Sequence, residues 1–173
     1  MNCDEDERFP FLAKEKRLLA DALKTNKCVL GLCLGGQLMA RAAGEAVRAH
    51  RHWEVGWHAV QIDDPFLGKR ELKVFQWHHD TFDIPTRARR IATNSITANQ
   101  GFRLSPRAIA VQFHPEATDE WVMELSRETP YPQGPHVQNP EEMKSDLGHL
   151  KEMTHWFFQL LDQMELIQME GEA

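Results

Sequence analysis

The stretch Cys28-Val29-Leu30-Gly31-Leu32-Cys33-Leu34-Gly35-Gly36-Gln37 decides the fold. Its first half is a short, unbroken apolar run, which reads as a strand buried on both faces, the kind parallel sheets contain. From Leu34 to Ala43 the apolar spacing turns helical, and Gly44 supplies a C-terminal stop. Strand and helix meet at Gly31-Leu32-Cys33-Leu34-Gly35, where glycine stands two residues before and two after a nucleophile, the spacing of a nucleophile elbow. A strand that turns this abruptly into a helix holds the nucleophile in a strained conformation, and side chains at the two glycine positions are expected to collide. The helix start behind Cys33 places the thiol at the positive end of a helix dipole. It also aims the Leu34 N–H at the oxyanion of a tetrahedral intermediate.

Working outward, Phe11, Leu12, Leu18, Leu19, Ala22 and Leu23 recur at helical spacing after Pro10, with acidic residues Asp4 to Glu7 at the helix's positive end. The middle of the chain reads as strands over residues 45–49, 55–62, 72–76, 90–93, 101–104 and 108–113, separated by turn signals such as Asp63-Asp64-Pro65 and Ser105-Pro106. A helix is expected over 119–127. Residues 129–140 hold four of the nine prolines and read as a loop. Met143, Leu147, Leu150, Met153, Phe157, Leu161 and Met164 then predict one long helix with an apolar face, a core or dimer contact. The pattern predicts an α/β fold, one domain over 1–173 with a mostly parallel sheet flanked by helices, its motifs within 4–118 and a helical tail over 119–173.

Composition excludes several classes of function. The 173 residues carry 20 Lys and Arg against 26 Asp and Glu, a net charge of −6, which argues against a nucleic-acid binder needing a basic face. No apolar run approaches the ~20 residues that span a bilayer, and no secretory leader opens the chain. Three cysteines without framework spacing fit a reducing, cytoplasmic setting. His50, His52, His58, His78 and His79 lack the partners and spacing of a tetrahedral site, so no metal and no cofactor is expected. The Arg87–Arg90 cluster reads as a solvated face.

A thiol nucleophile needs a base, and the base an orienter. Val111-Gln112-Phe113-His114-Pro115-Glu116 ends an apolar run with His and Glu two apart. In extended chain, residues i and i+2 project to one side, so Glu116 can accept from His114 Nδ1 while Nε2 faces a thiol. Pro115 suits a strand's end.

With both motifs in place, the sequence resembles the class I glutamine amidotransferase (triad glutaminase) family, especially stand-alone members similar to the glutaminase half of GMP synthase. The resemblance rests on Gly31-Leu32-Cys33-Leu34-Gly35-Gly36-Gln37 and Phe113-His114-Pro115-Glu116-Ala117-Thr118. Internal landmarks at Trp53-Glu54-Val55-Gly56-Trp57, Trp77-His78-His79-Asp80-Thr81-Phe82 and Asn99-Gln100-Gly101-Phe102-Arg103 support it. It implies a flavodoxin-like amidotransferase fold, with Cys33 as nucleophile, His114 as general base and acid, and Glu116 as orienter. It further implies Leu34 as oxyanion donor, Gln37 lining the glutamine pocket, and His78, His79 and Asp80 in a substrate-facing loop. The chemistry would release ammonia from glutamine through a γ-glutamyl thioester, with a synthetase partner supplied in trans.

Two departures stand out. His79 occupies a position where the family has glycine, adding bulk beside the substrate and favouring another γ-glutamyl compound as an alternative substrate. Met1-Asn2-Cys3-Asp4-Glu5 resembles the residues immediately after the family's Gly-Gly-Pro loop, so the domain is expected to be N-terminally truncated, either because Met1 is an internal methionine or because the domain is a degenerate, rebuilt one. Loss of that loop's oxyanion donor would cost ~3–4 kcal/mol. A catalytically impaired binding or oligomerisation module, and a homodimer, therefore stand as further expectations.

Overall fold

The structure, a computed structural model, describes residues 1–170; residues 171–173, counted in the expected domain, lie outside the described residues. Helix α1 (Phe11–Lys24) leads into strand β1 (Val29–Leu32), which turns at once into α2 (Leu34–Ala42). A long hairpin comes next, β2 (Val47–Asp64) and β3 (Gly68–Phe82), then β4 (Arg89–Thr93), β5 (Gly101–Ser105) and β6 (Ala108–Val111). The chain closes with α3 (Asp119–Leu125), α4 (Pro140–Ser145), a short 3-10 turn at Leu147–His149 and α5 (Leu150–Glu170).

The six strands form one sheet in the order β1-β6-β5-β4-β2-β3. Helices cover both faces. Leu12, Leu38, Met39, Phe82, Phe102 and Ala110 form the core beneath α1 and α2. On the other face Ile109, Val111 and Phe113 pack with Met153, Trp156, Leu160 and Met164 of α5. Strand β6 thus divides its side chains by the two-residue period of a strand, Ile109 and Val111 to one layer and Ala110 to the other.

The α/β class is as expected, but the strand directions differ from the expected mostly parallel sheet. Only β1 and β6 run parallel; β2–β3, β2–β4, β4–β5 and β5–β6 are antiparallel. The reason is connection length. Pro65 to Leu67 and Pro106-Arg107 are far too short to cross over a sheet, and such links join antiparallel neighbours only. Buried apolar runs reported that both faces are covered, not which way each strand runs.

Two further differences position the site. The expected strands 45–49 and 55–62 are one strand, β2, whose register against β3 shifts between Ala49 and Glu54. Polar residues His50, Arg51 and His52 fill that bulge and hid the continuity. The expected loop at His78 to Asp80 is likewise part of the end of β3. The single C-terminal helix is broken after Ser145, while its apolar face is kept. Trp57 Nε1 donates to the Met143 carbonyl at 3.1 Å, occupying the acceptor that a continuous helix would offer Leu147. Asn139 and Glu142 meanwhile start α4 with a reciprocal capping box.

Candidate active site

Cys33 and His114 lie at the carboxyl ends of β1 and β6, the two parallel neighbours, where open α/β sheets place their sites. The pairing Leu32 with Val111 continues one residue further through Cys33 N–H, which donates to the Val111 carbonyl at 2.9 Å. Cys33 is held at φ 46°, ψ −105°, a conformation that a non-glycine residue rarely adopts. The elbow is therefore present as a backbone outlier. The N–H groups of the first turn of α2, Leu34 among them, have no acceptor within the helix.

The glycine expectation is half right. A Cβ on Gly31 would stand 2.7 Å from the Gly35 carbonyl oxygen, so only glycine lets β1 pass the start of α2. Gly35 faces open space; the second tight spot is Gly36, whose Cβ would meet the Val111 carbonyl at 3.0 Å. Gly31→Ala is expected to lower stability by about 1–3 kcal/mol through overpacking. Gly35→Ala, in a helix, is expected to be neutral or to stabilise by up to about 1 kcal/mol. Urea unfolding of the two variants checks this difference, and equal loss in both would contradict it.

His114 lies just beyond β6, its N–H donating to the Phe75 carbonyl at 2.9 Å. Its Nδ1 meets Glu116 Oε1 at 2.7 Å, the expected pair, but the chain there is not extended: Ala117 N–H donates to the His114 carbonyl at 3.2 Å, and this turn brings the two side chains together. That contact leaves Nε2 for the Cys33 sulfur. Burial opposes a charge on the ring, but the hydrogen bonds and negative charge of Cys33 and Glu116 prevail and push His114 up to about 10. Trp121, in the first turn of α3, packs edge-on against the imidazole with ring centres 4.9 Å apart.

The other expected residues divide. Gln37, one turn into α2, is buried; its Nε2 donates to Gln112 Oε1 and to the Asp80 carbonyl, both at 3.4 Å. His79 is half-buried and its ring packs at a 33° tilt against Trp53, with centres 4.9 Å apart, and Asp80 Oδ2 accepts from Asn2 Nδ2 at 2.5 Å. His78 does not face the site as expected. Its side chain is 2% exposed and turned inward onto Glu54, because alternation along β3 sends it to the side opposite His79. Gln112 was missed: its Nε2 donates to Cys33 Sγ at 3.5 Å. Its signal was its place two residues before His114 in the same apolar run, although the chain bends at 112–113 beyond β6. Trp121 and Trp53 had no such signal. Among the described residues, no three His, Cys, Asp or Glu side chains converge to hold a metal, and no helix is long and apolar enough to cross a membrane.

The three thiols differ in setting: Cys33 is half-buried at the elbow beside Gln112. Cys3 is fully buried, and burial beside Asp4 pushes its thiol up to about 11. Cys28 sits at the far end of β1, its Sγ 3.9 Å from the Met164 carbonyl. Limited alkylation with iodoacetamide at pH 7.5 is expected to modify Cys33 first, as read by peptide mass mapping.

Residues 6–121 match the family model described as glutamine amidotransferase class-I. A glutamine amidotransferase-like protein of Schizosaccharomyces pombe is 30% identical over 99 residues, which cover 54% of this chain and 40% of that protein. A subunit of the glutamine-hydrolyzing GMP synthase of Saccharolobus solfataricus is 35% identical over 94 residues, 51% of this chain and 50% of that protein. The chain thus spans half or less of the length of these two relatives. The crystal structure of a glutamine amidotransferase from Methylobacillus flagellatus superposes with a TM-score of 0.88 at 29% identity, covering 95% of this chain and 72% of that one.

Proposed function

The chain belongs to the class I glutamine amidotransferase family, and from that premise we propose that it releases ammonia from glutamine through a Cys33–His114–Glu116 triad. The observation that carries this reading is the thiol at a strained elbow beside an imidazole that Glu116 orients at 2.7 Å and that keeps its proton through neutral pH. The Cys33 sulfur, its own proton held on His114, attacks the γ-carboxamide carbon, and the oxyanion that forms accepts a hydrogen bond from the Leu34 N–H. His114 gives its Nε2 proton to the amide nitrogen, the C–N bond breaks and ammonia leaves. Water then attacks the γ-glutamyl thioester; His114 accepts its proton, the C–S bond breaks and glutamate departs. Gln37 lines the pocket, with His79 and Asp80 at its rim.

Ammonia release from glutamine, followed with a coupled dehydrogenase, tests the reading. Turnover that saturates in glutamine and leaves asparagine untouched supports it; no turnover above buffer would reject it. Likeness to one subunit of a GMP synthase supports delivery of the ammonia to a synthetase in trans.

The tilted contact of His79 with Trp53 favours a second substrate class. An aromatic pair at the rim suits a γ-glutamyl compound with a bulky leaving group. Glutathione conjugates assayed beside glutamine decide between them, and a higher kcat/KM for glutamine ends the second reading.

A further inference from the structure

The Cys33 thiol is the outer end of a chain of polar contacts that runs into the centre of the sheet. Gln112 Nε2 donates to Cys33 Sγ, and Gln112 Oε1 accepts from Gln37 Nε2. The same Gln37 nitrogen donates to the Asp80 carbonyl. That carbonyl lies 3.0 Å from His78 Nδ1, which donates, since a carbonyl only accepts. His78 Nε2 in turn lies 3.2 Å from Glu54 Oε2, an ion-pair approach set off the hydrogen-bond axis. Both ring nitrogens of His78 therefore face acceptor oxygens.

Glu54 has no exposed surface at all. Its carboxylate is nevertheless well partnered: Asn94 Nδ2 donates to Oε1 at 2.5 Å and Gln100 Nε2 to Oε2 at 2.9 Å. Gln76 Nε2 supports Gln100 from behind at 2.9 Å. Burial raises the Glu54 carboxyl, but the close approach of His78 and the bond from Asn94 outweigh it and hold the group below the ordinary carboxylate range. Glu54 and His78 are direct cross-strand partners, at the point where β2 regains register after its bulge. Bulges re-aim side chains. A charge buried this deeply is a poor device for stability alone, because an apolar pair of similar volume often does as well or better.

We propose that Glu54 is a positioning residue: through His78 it fixes the Asp80 carbonyl and, with it, the Gln37 amide in the pocket wall beside Cys33. The proposal rests on Gln37 lining a glutamine pocket. The unit would act on how substrate is held, not on the reacting atoms, so its loss should appear in KM.

Glu54→Gln, close in shape and uncharged, tests it in the full chain. Solvent exchange of the Gln37 side-chain amide, read by NMR, is expected to quicken by about tenfold or more as that group loosens. The KM for glutamine is expected to rise by about tenfold to a hundredfold, with kcat changed less than about threefold. A folded variant with unchanged exchange at Gln37 and unchanged KM would overturn the proposal. So would a KM and kcat that fall in step with lost folded fraction. His78→Asn keeps a donor for Asp80 but cuts the link to Glu54; it should reproduce the same defect and serves if Glu54→Gln does not fold. If the wild-type chain hydrolyses no glutamine, the proposed function fails, and exchange at Gln37 alone judges the positioning role.

Discussion

Glutamine turnover is expected to fall by about 10⁴-fold or more when Cys33 is replaced by serine, as when a covalent nucleophile is removed elsewhere. The substitution changes one atom. A hydroxyl fits the same elbow, so the positive φ at position 33 and the packing of Gly31 against Gly35 are retained. The chemistry is what changes: a serine hydroxyl is far harder to ionise than a thiol. Neither remaining cysteine can substitute. Cys3 is buried among Leu12, Met39 and Phe82, and Cys28 lies five residues back across β1, about 16 Å at 3.3 Å per residue. The variant should unfold within about 0.5 kcal/mol of wild type, as isosteric surface-accessible changes usually do. Residual activity within tenfold of wild type would remove Cys33 from the reaction.

The second large effect is expected at His114. Alanine there should cost about 10³- to 10⁴-fold, because the proton donor for the leaving nitrogen goes with the ring. Glu116→Gln should cost less, about 10- to 100-fold, since the Glu116 side chain is 37% exposed and water can replace part of its role. The same contacts predict a titration. Burial works against the imidazolium, and it is the Cys33 and Glu116 contacts that raise it to about 10. Cys33→Ala removes the first of these, so the ring should then titrate well below its wild-type value, as read from its carbon-bound proton by NMR. Stability carries the same sign. A group raised from 6.5 in the unfolded chain to about 10 in the fold stabilises fully below about 6.5, and that contribution is lost as pH rises through about 10. Unfolding free energies of wild type and His114→Ala should therefore converge across that window.

The parts of the molecule legible in sequence are those fixed by short-range geometry. Gly31-x-Cys33 between an apolar strand and a helix announces the elbow, because few other arrangements need glycine at a crossing this close. His114-Pro115-Glu116 announces its dyad by closeness in sequence, although the two side chains meet across a turn closed by Ala117 N–H on the His114 carbonyl and not along extended chain. Features that depend on cross-strand register were not legible. Glu54 meets His78 only because a bulge over residues 50–53 shifts β2 against β3, and nothing in His50-Arg51-His52-Trp53 specifies that shift. The inward turn of His78 and the outward turn of His79 come from the same register. Gln112 was obscured differently: one amide inside an apolar strand reads as a flaw in the pattern until the thiol beside it is seen. The break after Ser145 needed a partner remote in sequence, the Trp57 indole on the Met143 carbonyl.

Covalent capture addresses the central claim most directly. A diazoketone analogue of glutamine presents an electrophilic carbon where the γ-carboxamide would lie, so it alkylates only a nucleophile placed to attack that position. The account predicts one adduct per chain, mapped to Cys33 by peptide mass, slowed by added glutamine and absent in Cys33→Ser. An adduct confined to Cys3 or Cys28, or no adduct under conditions where glutamine is turned over, would contradict it.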